Sequence, residues 1–210
     1  MRKTPSRFRL RRVFGPLVRL LARGFIRLHI PPNGISALAF FFACLATLLL
    51  ILYQWVIAYG LLVFVAGLLD GVDGEVARQT NRASRVGGFL DSVLDRFADV
   101  IVLFPFLCLP NPFPQWGPSW WWVTTAIIGV ILVSYVRSRA QAAGVTDTDV
   151  GLAARSERLF ILVLASLFSF FYPPMLYLGL IVVAILSHLT VVYRILYYYR
   201  QLDKVGTPKP

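Results

Sequence analysis

Acidic residues are scarce in this chain of 210 residues, where 10 Asp and Glu stand against 21 Lys and Arg and the formal net charge is +11. Charge of either sign is absent from residues 28–69. With 58% hydrophobic residues and a mean hydropathy of +0.70, the composition excludes an ordinary soluble domain. It indicates an integral membrane protein whose few charges lie at helix ends or in a functional site.

Cysteine and histidine are rare as well. The two cysteines, Cys44 and Cys108, are isolated within apolar runs and show no metal-ligand or redox spacing. The two histidines, His29 and His188, have no ligand or catalytic partner nearby in the sequence. We therefore expect the cysteines to be small buried residues, and packing in the core or at the membrane interface is the better interpretation of the histidines.

Runs of about twenty mostly apolar residues predict membrane-spanning helices. Six such runs are present, at 34–56, 58–78, 88–109, 119–141, 156–173 and 175–199. The expected fold is all-α, an integral membrane bundle of six transmembrane helices preceded by an N-terminal amphipathic interfacial helix. Its predicted parts are a basic juxtamembrane segment at 1–32, a six-helix transmembrane domain at 33–200 and a cytoplasmic tail at 201–210.

The positive charges lie on one side of the predicted spans. They fall in the N-terminal segment, in the second and fourth links between spans, and toward the C-terminus, whereas the links near 53–59, 110–118 and 173–175 carry none. By the positive-inside rule, this asymmetry predicts a multi-pass protein of the cell membrane with both termini in the cytoplasm. The acidic helix ends described next are then cytoplasmic too.

The first thirty residues hold nine basic groups and no acid. Within residues 10–28, apolar residues recur at helical spacing, and four arginines occupy the other face, namely Arg12, Arg19, Arg23 and Arg27. This pattern predicts an amphipathic helix in the anionic membrane interface, bent or broken at Pro16. A basic segment can also bind nucleic acid, but the amphipathic pattern disfavours that interpretation, so we expect no nucleic-acid partner.

Six of the ten acids fall within residues 70–99, in sequence that otherwise resembles membrane helix. Asp70 and Asp73 are three residues apart on the second predicted span, and Asp91 and Asp95 are four apart on the third. Each pair therefore projects from one face of its helix. Because the link between the two spans is short, the helices should be antiparallel neighbours whose four carboxylates share one space.

Four unpaired carboxylates would be prohibitive within a membrane, so they need countercharge. Oxygen ligands without nearby His or Cys select hard cations such as Mg²⁺ or Mn²⁺, and two divalent ions would balance four charges. Such sites commonly serve displacement at phosphorus. Two other interpretations stay open, a pathway for cations or protons and a purely structural set of buried ion pairs. The arginines available for such pairs are Arg78, Arg82, Arg85 and Arg96.

Eight residues between positions 70 and 95 follow a fixed spacing, namely Asp70, Asp73, Gly74, Ala77, Arg78, Gly87, Asp91 and Asp95. This set resembles the complete signature of the CDP-alcohol phosphatidyltransferase family. The six-span layout with an interfacial helix is also similar to that family over nearly the whole chain. The resemblance implies a homodimer that displaces CMP from a CDP-linked lipid, either CDP-diacylglycerol or CDP-archaeol, by the hydroxyl of a polar acceptor.

The resemblance also implies roles for individual residues. Two Mg²⁺ ions, or Mn²⁺ in their place, would bind Asp70, Asp73, Asp91 and Asp95, and Asp95 would also be the catalytic base. The nucleotide pocket would comprise Asn33, Gly74, Ala77, Arg78 and Gly87. For Asn33, which follows two prolines before the first span, a plain helix N-cap is an equally good interpretation.

Arginines near the predicted cytoplasmic ends of the last three spans indicate a phosphorylated acceptor, because one guanidinium group can donate two parallel hydrogen bonds to the oxygens of a phosphate. They are Arg137, Arg139, Arg155, Arg158 and Arg194, and the positive-inside bias is the other explanation of each. Segments 134–144 and 151–159 resemble the inositol-phosphate branch of the family. We therefore expect inositol 1-phosphate as acceptor. The alternatives are phosphatidylglycerophosphate or phosphatidylserine synthesis and, from another class, a cation-coupled membrane transporter.

Overall fold

The apolar runs form long helices in the computed structural model, which describes residues 13–148 and 150–206. The helices are α1 Gly15–Arg27, α2 Pro32–Tyr53, α3 Val56–Gln79, α4 Arg85–Ile101, α5 Ser119–Ala142, α6 Arg155–Phe168 and α7 Met175–Gly206. Two short 3-10 helices, Phe104–Leu107 and Pro114–Trp116, lie between α4 and α5. Within these described ranges there is no strand, so the predicted all-α class is confirmed for them.

Four helices are long and apolar enough to cross a membrane, namely α2, α3, α5 and the part of α7 that ends at Asp203. This supports the prediction of a multi-pass membrane protein. The other two predicted spans are shorter, since α4 has 17 residues and α6 has 14, against the roughly twenty that a span requires. Six spans therefore stay a prediction. α7 continues to Gly206, past residue 201, where the tail was expected to begin.

Helix α4 ends at Ile101, before the predicted boundary at residue 109. Pro105 has no N–H to donate to the carbonyl of Ile101. The hydroxyl of Thr47 on α2 donates to that carbonyl instead, at 2.8 Å, and the hydroxyl of Tyr59 on α3 donates to the carbonyl of Val102 at 2.7 Å. A backbone carbonyl without a hydrogen-bond donor is unfavourable in an apolar interior, so these two bonds stabilise the end of the helix at Ile101.

Small residues set the closest contacts between helices. Gly60 of α3 lies against Ser166 of α6, and Gly129 of α5 lies against Ser187 of α7, in both cases with no room for a Cβ atom. Gly179 of α7 approaches α6 in the same way. Close approach through small residues is the usual basis of helix packing in membranes. These contacts join α3, α6, α7 and α5 into one bundle.

The apolar core fills the half of the bundle where α3 begins. Its largest fully buried side chains include Leu50, Tyr59, Leu103, Phe106, Leu162 and Leu180. The acidic residues of α3 lie in the second half of that helix, beyond this core. The acids and the core are therefore separated along the helix axes.

Helix α1 packs on α3 near the acidic half. Ala22 is fully buried, and Val18 lies so close to Gly71 that an added Cβ would be 3.4 Å from it. Pro16 lies in the first turn of α1, where a missing N–H is tolerated, so the helix begins at Gly15 and continues past this proline. The predicted helix before residue 13 lies outside the described residues. An interfacial location of α1 stays a prediction.

The link between α5 and α6 is fastened to α7. The backbone of the link bonds to three side chains of α7, namely Thr190, Arg194 and Tyr198. Arg194 Nε donates to the carbonyl of Val150 at 2.9 Å, and the Tyr198 hydroxyl donates to that of Thr148 at 2.8 Å. These bonds fix the segment that leads into α6.

We predict that Tyr59→Phe destabilises the protein by about 1–3 kcal/mol, because the buried carbonyl of Val102 then loses its donor. Thermal unfolding in detergent measures the loss. Tyr53→Phe is the matched control, since the Tyr53 side chain is largely exposed. Equal unfolding midpoints for the two variants would contradict the role given to the Tyr59 hydroxyl.

Candidate functional site

Carboxylates from α3 and α4 meet near the point where α3 ends and α4 begins. Asp70, Asp91 and Asp95 each offer one oxygen, and the three oxygens lie within 4.8 Å of one another. A single cavity is lined by these acids together with Asp73 and Arg155. The structure thus brings together the four acids that sequence spacing placed on facing helices.

Asp73 is held beside the other three acids by its own hydrogen bonds. It is 4% exposed, and its Oδ2 accepts a hydrogen bond of 2.6 Å from the hydroxyl of Ser36 on α2. Its Oδ1 accepts from the N–H of Gly74 at 2.5 Å. Sequence reasoning gave Ser36 no role. The available signal was its position three residues after Asn33, on the same helix face.

The guanidinium group of Arg155, at the start of α6, lies among the carboxylates. One terminal nitrogen is 2.7 Å from Asp70 Oδ1 and 2.8 Å from Asp95 Oδ1. Its Nε donates to Asp99 Oδ1 at 2.9 Å. Arg155 was expected to face a substrate phosphate, and in this structure its contacts are with the acids themselves. Its charge offsets part of the negative charge that the apolar surroundings disfavour.

The arginines considered for structural ion pairs contribute less. Arg96 lies 3.4 Å from Asp95, and Arg78 lies 2.7 Å from Glu75 on its own helix. Within the described ranges, Arg82 and Arg85 form no ion pair with the acids. Among the described residues, the main positive partner of the cluster is therefore Arg155, which comes from a distant part of the sequence.

Asp99 lies one turn beyond Asp95, deeper in the bundle, and its side chain is 6% exposed. Besides Arg155 it contacts Arg158, whose terminal nitrogen is 3.6 Å from Asp99 Oδ2. Arg158 also donates to the carbonyl of Ala153 at 3.1 Å. Sequence reasoning counted Asp99 in the cluster but gave it no role. The sequence did contain a signal. Asp99 follows Asp95 by four residues, as Asp95 follows Asp91, and this spacing places all three acids on one face of α4.

The five arginines predicted to bind the acceptor phosphate have different surroundings. Arg155 is the one of the five that lines the cavity of the acids. Arg158 and Arg194 are buried, and Arg194 donates to the carbonyls of Val133 and Val150. Arg137 and Arg139, in the last turns of α5, are exposed. The structure therefore does not gather these five side chains around one point.

The residues predicted for the nucleotide lie next to the acids, toward the end of α3. Asn33 stands beside Gly87, since a Cβ on Gly87 would be 3.1 Å from Asn33 Oδ1. Gly74, Ala77 and Arg78 share one face of α3. A Cβ on Gly74 would be 3.4 Å from a terminal nitrogen of Arg78. Gly74 and Gly87 are thus each bordered by a polar side chain, Arg78 and Asn33 respectively.

The donor set fits a hard divalent cation. Its three clustered atoms are carboxylate oxygens, and neither His nor Cys is among the residues that line this cavity. Such oxygen sets suit Mg²⁺ or Mn²⁺. The arrangement can therefore hold cations beside an arginine, as chemistry on phosphate groups requires.

Comparison with known proteins supports this chemistry. Residues 29–195 match the sequence profile of the CDP-alcohol phosphatidyltransferase family. The archaetidylinositol phosphate synthase of Pyrococcus horikoshii is 35% identical over 188 residues, which cover 90% of this chain and 93% of that protein. The match therefore extends over nearly the full length of both chains.

The fold agrees with solved structures of a bacterial enzyme. Phosphatidylinositol phosphate synthase of Mycobacterium tuberculosis with CDP-DAG bound gives a TM-score of 0.75 at 26% identity, covering 88% of this chain and 94% of that one. The same enzyme in complex with manganese and citrate gives a TM-score of 0.72 at 26% identity, covering 87% and 88%. Together with the profile match, these similarities show that this chain, an enzyme of phospholipid synthesis, belongs to the CDP-alcohol phosphatidyltransferase family.

Proposed function

We propose that the protein transfers a phosphatidyl or archaetidyl group from CDP-diacylglycerol or CDP-archaeol to a hydroxyl of inositol 1-phosphate and releases CMP. One observation carries the proposal. The clustered oxygens of Asp70, Asp91 and Asp95 lie against Arg155, so ligands for hard cations adjoin a group that binds phosphate. The similarity to an archaetidylinositol phosphate synthase supports the choice of acceptor.

Asp70, Asp73, Asp91 and Asp95 are the residues that would hold two Mg²⁺ ions, or Mn²⁺ in their place. Bound there, the ions would supply charge stabilisation at the pyrophosphate oxygens of the CDP group. The manganese complex of the M. tuberculosis enzyme supports this assignment. Two divalent ions balance four carboxylates, which leaves the charge of Arg155 for a substrate.

The face formed by Asn33, Gly74, Ala77, Arg78 and Gly87 is the proposed site of the CDP group. Its small residues leave space for the ribose and the cytosine. Arg78 is suited to a phosphate oxygen. It is 55% exposed and pairs with Glu75 on the surface, so exchanging that partner for a phosphate costs little.

Asp95 is the base in this proposal. The acceptor hydroxyl oxygen attacks the phosphorus that carries the lipid, its proton passes to a carboxylate oxygen of Asp95, and the bond from that phosphorus to the CMP oxygen breaks. Asp95 is suited by position, because it contacts Arg155 at 2.8 Å. The group that takes the proton and the group that binds the acceptor phosphate are then side by side.

Arg155 is the proposed direct ligand of the acceptor phosphate. Arg158 and Arg194 are both buried and donate to backbone carbonyls of the segment that leads into α6. In this proposal they act indirectly, by fixing the segment that carries Arg155. Arg137 and Arg139 are exposed and would attract the anionic acceptor over a longer distance. The five predicted arginines would thus contribute to acceptor binding in different ways.

The cytoplasm is the proposed location of the site and of both termini. Arg82, just before α4, and Arg85 and Arg155, the first residues of α4 and α6, lie at the same end of the bundle as the acids, which supports this orientation. Trp116, Trp120 and Trp121 are exposed at the other end, as is common for tryptophan at a membrane interface. A homodimer stays a prediction from the family resemblance.

We predict that Asp91→Asn lowers the rate of CMP release about a hundredfold or more, because the variant removes a charged cation ligand. The assay uses purified protein, a CDP-linked lipid, inositol 1-phosphate and Mg²⁺, with and without EDTA. EDTA should abolish the activity of the wild type. Asp203→Asn, an exposed acid at the far end of α7, is the control. Wild-type activity in Asp91→Asn would contradict the proposed cation site.

We also predict that inositol 1-phosphate is the preferred acceptor, because Arg155 favours a phosphorylated polyol. CMP release is compared for inositol 1-phosphate, glycerol 3-phosphate, serine and free inositol at equal concentrations. Preference for another acceptor would keep the family chemistry and overturn the inositol assignment. If folded protein releases no CMP with any of the four, the cation-coupled transporter becomes the better interpretation of the acids.

A further inference from the structure

Asp99 is a buried acid outside the spacing that resembles the family signature. It lies four residues after Asp95, on the face of α4 that carries Asp91 and Asp95. With its side chain 6% exposed, its carboxylate needs a countercharge close by. Two arginines supply it, and both belong to the first turn of α6.

The two oxygens of Asp99 are divided between these arginines. Oδ1 accepts a hydrogen bond of 2.9 Å from Arg155 Nε, and Oδ2 lies 3.6 Å from a terminal nitrogen of Arg158. The side chain of Arg158 is 4% exposed, and it also donates to the carbonyl of Ala153. Both arginines therefore offset the charge of Asp99, and Arg155 is the nearer of the two.

The contact with Asp99 differs from the other contacts of Arg155. Asp70 and Asp95 touch a terminal nitrogen of Arg155, and both belong to the trio of oxygens proposed to hold cations. Those two contacts compete with cation binding. Asp99 is not one of the trio, and it engages Nε instead. Its contact can persist when Asp70 and Asp95 serve as cation ligands.

We propose that Asp99 is a positioning residue for the acceptor, acting through Arg155. By holding Nε, it fixes the plane of the guanidinium group and directs the terminal nitrogens into the cavity beside Asp95. A planar guanidinium binds phosphate well only when its orientation is set. The inference rests on the proposed function, from which it takes the phosphorylated acceptor. Asp99 itself makes no contact with the substrate.

Steady-state CMP release by the full-length protein with Mg²⁺ tests this role. In Asp99→Asn, which keeps the side-chain size and removes its charge, KM for inositol 1-phosphate should rise about tenfold. KM for the CDP-linked lipid and kcat should change by less than about twofold. Asp99→Glu keeps the charge but shifts the carboxylate, so its acceptor KM should lie between those of the wild type and Asp99→Asn. Glu157→Gln, in the same turn of α6, is the control and should match the wild type.

A double-mutant cycle with Arg155→Lys separates positioning from a general structural role. The lysine side chain has a single nitrogen and no guanidinium group. In Arg155→Lys, Asp99 therefore has no planar group to orient. Adding Asp99→Asn to Arg155→Lys should therefore raise the acceptor KM no further. If the two effects multiply instead, Asp99 does not act through Arg155, and the proposal is overturned. A loss of stability alone would lower kcat through the amount of folded enzyme and would leave both KM values unchanged.

The wild type separates failure of this inference from failure of the proposed function. If the wild type uses inositol 1-phosphate and Asp99→Asn has an unchanged acceptor KM, the role of Asp99 is overturned and the proposed function stands. If the wild type does not use inositol 1-phosphate, the proposed function falls and the inference with it. If Asp99→Asn does not fold, Asp99→Glu decides, since an unchanged acceptor KM in that variant also overturns the role.

Discussion

The contacts between Arg155 and three carboxylates hold the polar end of this bundle together. Asp70 comes from α3, Asp95 and Asp99 come from α4, and Arg155 begins α6, so one guanidinium group joins three helices. Without a cation among them, these acids would repel one another and would lose hydration without compensation. Positive charge at this place, from an arginine or from bound ions, therefore stabilises the ionised form of these acids.

The separation of polar and apolar halves suits group transfer from a lipid. The apolar half around Tyr59 has the packing of a membrane protein core, and the acids begin where that core ends. An enzyme of the CDP-alcohol phosphatidyltransferase family must bring a lipid-linked phosphorus and a soluble hydroxyl to one point. Such a reaction depends on positioning and charge stabilisation, which fixed carboxylates and an anchored guanidinium can provide.

Sequence spacing predicted the elements of the site but not the contacts between distant helices. The intervals between Asp91 and Asp95, and between the two acids of α3, correctly placed four carboxylates in one cavity. Spacing along the sequence shows which side chains are neighbours on one helix, but not how a distant helix is rotated. Arg155 was expected beside the cation site, facing a phosphate, and its ion pairs with the acids were not predicted. The end of α4 was missed for a similar reason, because the effect of Pro105 depends on hydroxyl groups from α2 and α3.

The bonds from Thr47 and Tyr59 to the carbonyls of Ile101 and Val102 also fix α4 in axial register against its neighbours. A slip of one residue would move every side chain of α4 by about 1.5 Å, whereas a working site tolerates roughly 0.5 Å. Asp95 lies six residues from Ile101, about 9 Å along the helix. The position of the α4 carboxylates along the helix axis is thus fixed by two hydroxyl groups in the apolar half of the bundle, away from the substrate site.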